Sequence, residues 1–264
     1  MDTTTQVITI LIILLALVVT VVATQFVRRR RGALTLRPIP SYDALPMMVG
    51  AAVEADRPVH FSLGGTGIGG NNTPLTLATA EMFYQMAHRA ATGTTAPILT
   101  VSDPSALPLT YSLLYRAYAS RNRAARFQGS SIRWYPSGPR SLAFAAALTG
   151  TLGDERVQGN ILVGSFGPEL ALVLDAAARR KQGTIAASIQ LDGQAIAYAL
   201  SDRPLIGEEM FVAGAYLGDS ATQRGSIAAI DVLRWLLIAG ILIATINTIR
   251  EPVADAVARF LGGS

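Results

Sequence analysis

A glycine-rich segment has the residue types and spacing best suited to binding chemistry. Gly65-Thr66-Gly67-Ile68-Gly69-Gly70 stands between an apolar run and a helical pattern, and it fits the G-x-G-x-x-G spacing with which backbone amides cradle a phosphate. Asp103, after the next apolar run, is of the type that binds a ribose, but it lies 38 residues beyond Gly65, against about 20 in the dinucleotide fingerprint. The candidate residues for a small anionic ligand are Gly65, Gly67, Gly70, Asn71 and Asp103. A strand-to-helix loop without a ligand is the alternative.

Three carboxylates form a second candidate group, namely Asp202, Glu208 and Glu209. Facing carboxylates can perform acid–base chemistry, but no nucleophile stands nearby. Glu208 and Glu209 also suit the first turn of a helix, where negative charge favours the helix dipole. We therefore expect a structural or subunit contact here, and a hydrolase is the weakest of the functional hypotheses.

Other catalytic templates fail. Gly164-Ser165-Phe166-Gly167 lacks the second spacer of G-x-S-x-G. The chain has no cysteine, and its two histidines, His60 and His88, are far apart. A basic group comprising Arg116, Arg121, Arg123 and Arg126 accompanies no nucleic-acid motif. The sequence predicts no catalytic residue, metal, cofactor or nucleic-acid partner, and it favours a protein that is not an enzyme.

The elements that position these residues follow a regular alternation of short apolar runs and helical patterns. The expected strands are Val59–Leu63, Ile98–Val101, Ile132–Tyr135, Ile161–Val163, Thr184–Ile189 and Ala195–Ala199. The expected helices are 42–55, 73–91, 107–127, 139–152, 168–181 and 207–218. This order predicts an α/β fold with a doubly wound, mostly parallel, Rossmann-like sheet. The last two strands, joined across Asp192-Gly193, are expected to form a hairpin, and Pro38 to Pro46 a linker.

Hydrophobic segments flank this domain. The 264-residue chain is 50% hydrophobic and 15% charged. Residues 7–27 carry no charge and extend about 31 Å as a helix, which matches a bilayer core and is longer than the h-region of a signal peptide, the alternative. The four arginines at 28–31 place the next domain in the cytoplasm and the N-terminus outside.

A second segment, residues 227–249, is expected to cross back, with a buried core helix as the alternative. The expected domains are an anchor at 1–31, a cytoplasmic α/β domain at 32–226, a second transmembrane helix at 227–249 and an amphipathic tail at 250–264. Both termini then lie outside the cell membrane. Small residues recur at helical spacing within the two segments, at Ala16, Thr20, Thr24, Gly240 and Ala244. Such stripes let transmembrane helices pack closely, although small residues are also merely tolerated there.

The segment from Leu205 to Leu217, LIGEEMFVAGAYL, with Gly225-Ser226 and Asp231 after it, resembles the closing motif of a bacterial and archaeal membrane-anchored family known only as a domain of unknown function. The segment from Val49 to Val59, VGAAVEADRPV, is similar to that family's opening, with departures at Ala51 and Asp56. The resemblance implies an N-terminal anchor and an α/β domain. It implies no activity and no catalytic residue.

Three functions are compatible with these observations. The first is a self-associating structural or scaffold subunit of a membrane assembly, with lipid and copies of itself as partners. The alternative is a membrane-tethered module that binds a nucleotide or phosphate. The third is the carboxylate-dependent hydrolase. Because no complete site geometry is visible, the sequence favours the first.

Overall fold

The protein, described by a computed structural model, divides into two compact units. Residues 36–219 form one unit, and residues 1–35 with 220–264 form the other. The structure describes residues 3–29, 36–138, 141–218, 224–225, 227–242 and 245–246.

Six parallel strands form the sheet of the first unit. They are β1 (Val59–Gly64), β2 (Ile98–Val101), β3 (Ile132–Trp134), β4 (Gly159–Ser165), β5 (Gly183–Ser188) and β6 (Arg203–Pro204). Their spatial order is β3-β2-β1-β4-β5-β6, with parallel pairing throughout. This is the order of a doubly wound dinucleotide-binding sheet, whose direction of winding reverses between β1 and β4. The α/β, Rossmann-like prediction is confirmed.

Helices cover both faces of the sheet. Those of this unit are α2 (Pro40–Glu54), α3 (Thr73–Ala90), α4 (Leu107–Ala119), α5 (Leu142–Asp154), α6 (Leu170–Arg179), α7 (Leu191–Leu200) and α8 (Ala213–Leu217). Helices α2, α3, α4 and α8 share one hydrophobic core and are called the first layer below. Helices α5, α6 and α7 share a smaller core on the opposite face and are called the second layer.

The predicted hairpin is wrong, because residues 191–200 form helix α7 rather than a strand. Gly193 lies in the first turn of this helix, where a Cβ atom would overlap the carbonyl oxygen of Phe166. Glycine therefore serves close helix packing here and not a turn. The Gln194 side chain then joins β5 to the segment after β6, because it accepts a hydrogen bond from Ser188 N (3.2 Å) and donates one to Leu205 O (2.9 Å).

Three other boundaries differ from the sequence prediction. The expected proline linker is partly helical, since α2 begins at Pro40 and contains Pro46. The helix expected over 107–127 ends at Ala119 and is followed by a short 3₁₀ turn. The last expected helix is a 3₁₀ helix, Gly207–Phe211, followed by α8.

The second unit contains helix α1 (Thr3–Arg29), whose segment Thr5–Phe26 is long and apolar enough to cross a membrane. Among the described residues it is one such helix, where the sequence predicted two. Residues 227–242 are helical. They include two charged residues, Asp231 and Arg234, whose Oδ1 and Nη1 atoms lie 3.8 Å apart. The described uncharged run is therefore limited to residues 235–242. Residues 243–244 and 247–249 of the expected second span, and the expected tail at 250–264, lie outside the described residues.

Small side chains allow α1 and the later helical segment to approach closely. A Cβ atom on Gly225 would lie 2.7 Å from the Cα atom of Thr24. Ala23 and Ala229 are buried, whereas the large apolar side chains of α1 are exposed. Thr24 of the predicted small-residue stripe therefore lies at a close helix contact within this unit.

Candidate functional site

The glycine-rich loop and Asp103 meet at the carboxyl end of the sheet. The loop follows β1 and Asp103 follows β2, so parallel pairing places both at the same edge. A Cβ atom on Gly67 would overlap the Asp103 carboxylate and would lie 2.7 Å from Ser105 Oγ. Gly70 and Asn71 lie at the exposed tip of the loop. The structure thus brings Gly67 and Asp103 together and leaves Gly70 and Asn71 at the periphery.

Most backbone amides of this loop donate hydrogen bonds within the protein. Gly65 N donates to Ser165 O (2.8 Å), and Ile68 N donates to Ser105 Oγ (2.8 Å). Gly69 N and Gly70 N both donate to Thr73 Oγ1, at 3.0 and 3.2 Å. A phosphate would have to displace these bonds, and the Asp103 carboxylate beside Gly67 would repel it. Anion binding by this loop stays a prediction that the present donor geometry does not favour.

Polar residues that the sequence pattern did not single out follow β4 and β5 at the same edge. The buried carboxylate of Glu169 accepts a hydrogen bond from Gly167 N (2.8 Å). Gln190 Nε2 donates to Ser165 Oγ (2.9 Å). These contacts stabilise the loops and place a second acidic side chain at the carboxyl end. Gly167 directly after a strand was the available signal, because glycine there permits close approach to neighbouring groups.

The carboxylates of Asp202 and Glu209 have different structural partners. Asp202 Oδ2 accepts hydrogen bonds from Thr184 N (2.8 Å) and Thr184 Oγ1 (3.0 Å) at the amino end of β5. Glu209 Oε1 pairs with Arg37 Nη2 (2.6 Å), and its Oε2 accepts from Ile206 N (2.9 Å). Glu208 is exposed in the same 3₁₀ helix as Glu209. Asp202 and Glu209 thus hold local structure, and their contacts assign them no acid–base pair.

Tyrosines reinforce the contact around Glu209. Tyr42 donates to Glu209 O (2.6 Å) and stacks on Tyr216 at 5.1 Å between ring centroids. Tyr216 donates to Arg37 O (2.6 Å). Burial, with a smaller contribution from the Glu209 charge, raises the pKa of Tyr42, so its hydroxyl stays protonated. The closing motif therefore joins the first and last segments of the α/β unit.

The basic group after α4 has a structural explanation. Arg123 Nη1 donates to Ala91 O (3.1 Å) and Thr92 O (2.5 Å), and Arg121 Nε donates to His88 O (3.3 Å). These carbonyls lie at the end of α3, where a helix leaves its last acceptors without backbone partners. Arg116 lies 5.1 Å above the Tyr84 ring centroid. Arg121 and Arg123 therefore provide hydrogen-bond donors to the last carbonyl groups of α3 and of the turn after it.

A buried polar row crosses the sheet beneath the second layer. His60 Nε2 lies 2.8 Å from Thr100 Oγ1, and His60 Nδ1 lies 3.2 Å from Asn160 Oδ1. Asn160 Nδ2 donates to Gln182 Oε1 (3.0 Å). Burial lowers the pKa of His60 to about 4, with a smaller lowering by the charge of Arg133, while the Asn160 bond opposes the shift. His60 is thus a neutral, fully buried core residue whose two ring nitrogens both have hydrogen-bond partners.

Within the described ranges, no group of three or more His, Cys, Asp or Glu side chains has the proximity needed to hold a metal ion.

Comparison with known proteins places the chain in a family without assigning an activity. A family model described as a domain of unknown function (DUF6754) matches residues 2–258, nearly the whole chain. No curated protein matches the chain. No solved structure matches it either. The expected membership of a family of unknown function is confirmed, and this protein belongs to the DUF6754 family.

Proposed function

We propose that this protein is a membrane-anchored subunit that associates with copies of itself through helix α7. The observation that carries the proposal is the orientation of α7. Gly193 and Ala197 are its buried residues, whereas Leu191 is 86% exposed and Tyr198 is 66% exposed. An amphipathic helix of a monomeric domain normally turns its large apolar side chains inward.

The outward face of α7 has the spacing of a helix–helix contact. Leu191, Ala195 and Tyr198 follow each other at i, i+4 and i+7, and all three are exposed. Asp192 is the one charged residue of α7, so this stripe carries little charge repulsion. The small Ala195 in its centre permits close approach of a second helix. A two-fold dimer needs one self-complementary patch, and the α7 stripe can meet its own copy.

Membrane anchoring supports association through a patch of this size. A ten-residue helix is about 15 Å long, which is too short to supply alone the roughly 800 Å² per partner of a standard interface. Confinement to a bilayer by α1 raises the effective concentration of neighbouring copies and lowers the contact area required. The arginines at 28–31 support the arrangement with the α/β unit in the cytoplasm and the N-terminus outside.

Cysteine cross-linking tests the contact, since the natural chain contains no cysteine. Full-length Ala195→Cys protein in membranes is treated with a mild oxidant and examined on a non-reducing gel. We expect a covalent dimer, because a two-fold contact brings the two Ala195 positions together. Leu77→Cys on α3 is the matched control, as Leu77 is 56% exposed on the first layer. No dimer from Ala195→Cys, or equal dimer from both variants, contradicts the proposal.

Fractionation of the same membranes tests the anchor. We expect the wild-type protein to remain in the pellet after alkaline carbonate extraction and to be released by detergent. Release by carbonate alone contradicts a transmembrane role of α1.

A further inference from the structure

We propose that a cleft at the amino end of the sheet binds a small anion that carries two or more phosphate groups. The cleft has a volume of about 330 Å³ and lies at the opposite end of the sheet from the glycine-rich loop. It is formed where α2, α5 and α6 end and the chain turns into β1, β4 and β5. Its polar lining side chains are Arg57, Arg156, Arg180, Lys181, Gln158 and Gln182. This site is independent of the α7 contact.

The lining of this cleft holds four cationic side chains and no carboxylate. Among the described residues, no carboxylate lies within ion-pairing distance, 4.0 Å, of Arg57, Arg156, Arg180 or Lys181. Three helix carboxyl ends meet here, each equivalent to about half a negative charge, and offset only part of the four positive charges. The lining itself therefore remains net positive.

Backbone geometry indicates that two of these cations occupy costly positions. Arg156 has φ of 50° and Lys181 has φ of 56°, in the left-handed region. Glycine is the usual residue where a helix ends in this conformation, and other residues cost about 1 kcal/mol there. Because cations replace glycine at two neighbouring helix ends despite this cost, the backbone geometry supports a ligand-binding role for their charge.

The walls of the cleft are held before any ligand arrives. Gln182 Nε2 donates to Leu152 O (2.9 Å), and Gln182 Oε1 accepts from Asn160 in the buried polar row. Arg180 Nη1 donates to Ala176 O (3.0 Å). The guanidinium of Arg180 lies over Gly153, where a Cβ atom would come within 2.8 Å of Nη2. A fixed arginine and a fixed wall reduce the entropy lost on binding.

Size and lining select the ligand class. About 330 Å³ is at the lower end of small-molecule sites, which span roughly 300–1,000 Å³. Guanidinium groups recognise phosphate through paired hydrogen bonds and are well suited to clustered phosphates. We therefore assign to the cleft a di- or polyphosphate group, either of a soluble molecule or of a lipid headgroup.

Calorimetric titration of the full-length protein in neutral detergent with inorganic tripolyphosphate tests the proposal. We expect saturable binding that weakens at high salt. Lys181→Gly and Arg156→Gly should each weaken binding about tenfold or more. Because glycine relaxes the left-handed backbone, both variants should keep or raise the melting temperature, so that lost binding is not lost folding.

Two matched controls isolate the charge of the cleft. Arg179→Gln removes an exposed cation from the same helix end outside the cleft, and Asn122→Gly relaxes a left-handed residue (φ of 58°) elsewhere. Both should bind tripolyphosphate within about twofold of wild type, since neither changes a charge–phosphate bond. Absence of binding to the wild type, or equal weakening by Arg179→Gln and Lys181→Gly, overturns the proposal.

Competition identifies the source of the phosphate. The titration is repeated with the protein in mixed micelles of neutral detergent and phosphatidylcholine, with or without added phosphatidylinositol bisphosphate. Weaker tripolyphosphate binding only when the phosphorylated lipid is present supports a headgroup ligand. Undiminished tripolyphosphate binding in both kinds of mixed micelle supports a soluble ligand.

Discussion

The two helix layers bury their large apolar side chains to different extents. In the first layer, Met82, Phe83 and Met86 of α3 are fully buried against the sheet. In the second layer, α5 and α6 are anchored by residues such as Phe144 and Leu170, but the fully buried residues of α7 are Gly193 and Ala197, with Ile196 partly buried beside them. The first layer therefore buries the largest apolar side chains of its central helix α3 within one chain. The second leaves an apolar stripe that a further copy can cover, which is how the same fold can provide both a stable domain and an association surface.

The largest predicted effect concerns the completed layer. Phe83→Ala removes a fully buried ring that packs on Phe61 at 5.5 Å between centroids. We expect the free energy of unfolding to fall by about 3–5 kcal/mol, because the substitution leaves a cavity in a dense core. Urea denaturation of the full-length protein in mild detergent, followed by near-ultraviolet circular dichroism, measures the change. A loss below 1 kcal/mol would mean that the first layer is not the tightly packed one.

The buried polar row beneath the second layer predicts a pH dependence. His60 has a pKa of about 4 in the folded protein, against 6.5 ordinarily, so the unfolded chain gains a proton first as the pH falls. The stability that depends on neutral His60 is complete above about pH 6.5 and decreases towards pH 4, by on the order of 3 kcal/mol.

Denaturation curves at several pH values check this expectation. His60→Gln keeps hydrogen-bonding capacity without titrating, so its stability should change less between pH 6.5 and 4. Parallel curves for wild type and His60→Gln would show that His60 does not cause the dependence.

A smaller effect is expected where the first and last segments of the α/β unit meet. Arg37 is mostly exposed, and its ion pair with Glu209 is screened by solvent. Arg37→Gln should lower the free energy of unfolding by at most about 1 kcal/mol, and added salt should reduce the difference. A loss of several kcal/mol in the free energy of unfolding would show that solvent does not screen the Arg37–Glu209 ion pair.

The smallest effect on folding is expected at the α7 stripe. Leu191→Ser changes a side chain that is largely in solvent within one chain. Under conditions that keep the protein monomeric, its free energy of unfolding should differ from wild type by no more than about 0.5 kcal/mol. A larger loss would show that Leu191 packs within its own chain, and the contrast between the layers would disappear.

The sequence predicted the sheet well because buried parallel strands are continuous apolar runs between helical patterns, as in Ile98–Val101. The predicted hairpin at α7 was wrong because an Asp-Gly pair is typical of a two-residue turn, whereas here Gly193 is required for close packing of a helix. The meeting of Gly67 with Asp103 followed from topology. The hydrogen bonds of the loop amides did not, since two of their partners lie elsewhere in the chain: Ser105 in the 3₁₀ turn after β2 and Ser165 at the end of β4.

The amino-end cleft was also not predicted from the sequence. Its cations are distant in the chain and come together only when β1, β4 and β5 align. A signal was present, because a cation recurs in the connections from a helix into β1, β4 and β5, at Arg57, Arg156 and Arg180-Lys181. This repetition predicts a shared site only when the strand order, which makes β1, β4 and β5 neighbours, is known.

Native mass of the full-length protein in mild detergent tests the self-association claim most directly. Analytical ultracentrifugation of the wild type and of the double variant Leu191→Ser/Tyr198→Ser gives that mass, with Leu77→Ser as the control. The account predicts a defined oligomer for the wild type and for Leu77→Ser, and a shift to the 27.9 kDa monomer for the double variant. A wild-type monomer, or an oligomer that survives the double substitution, would contradict association through α7.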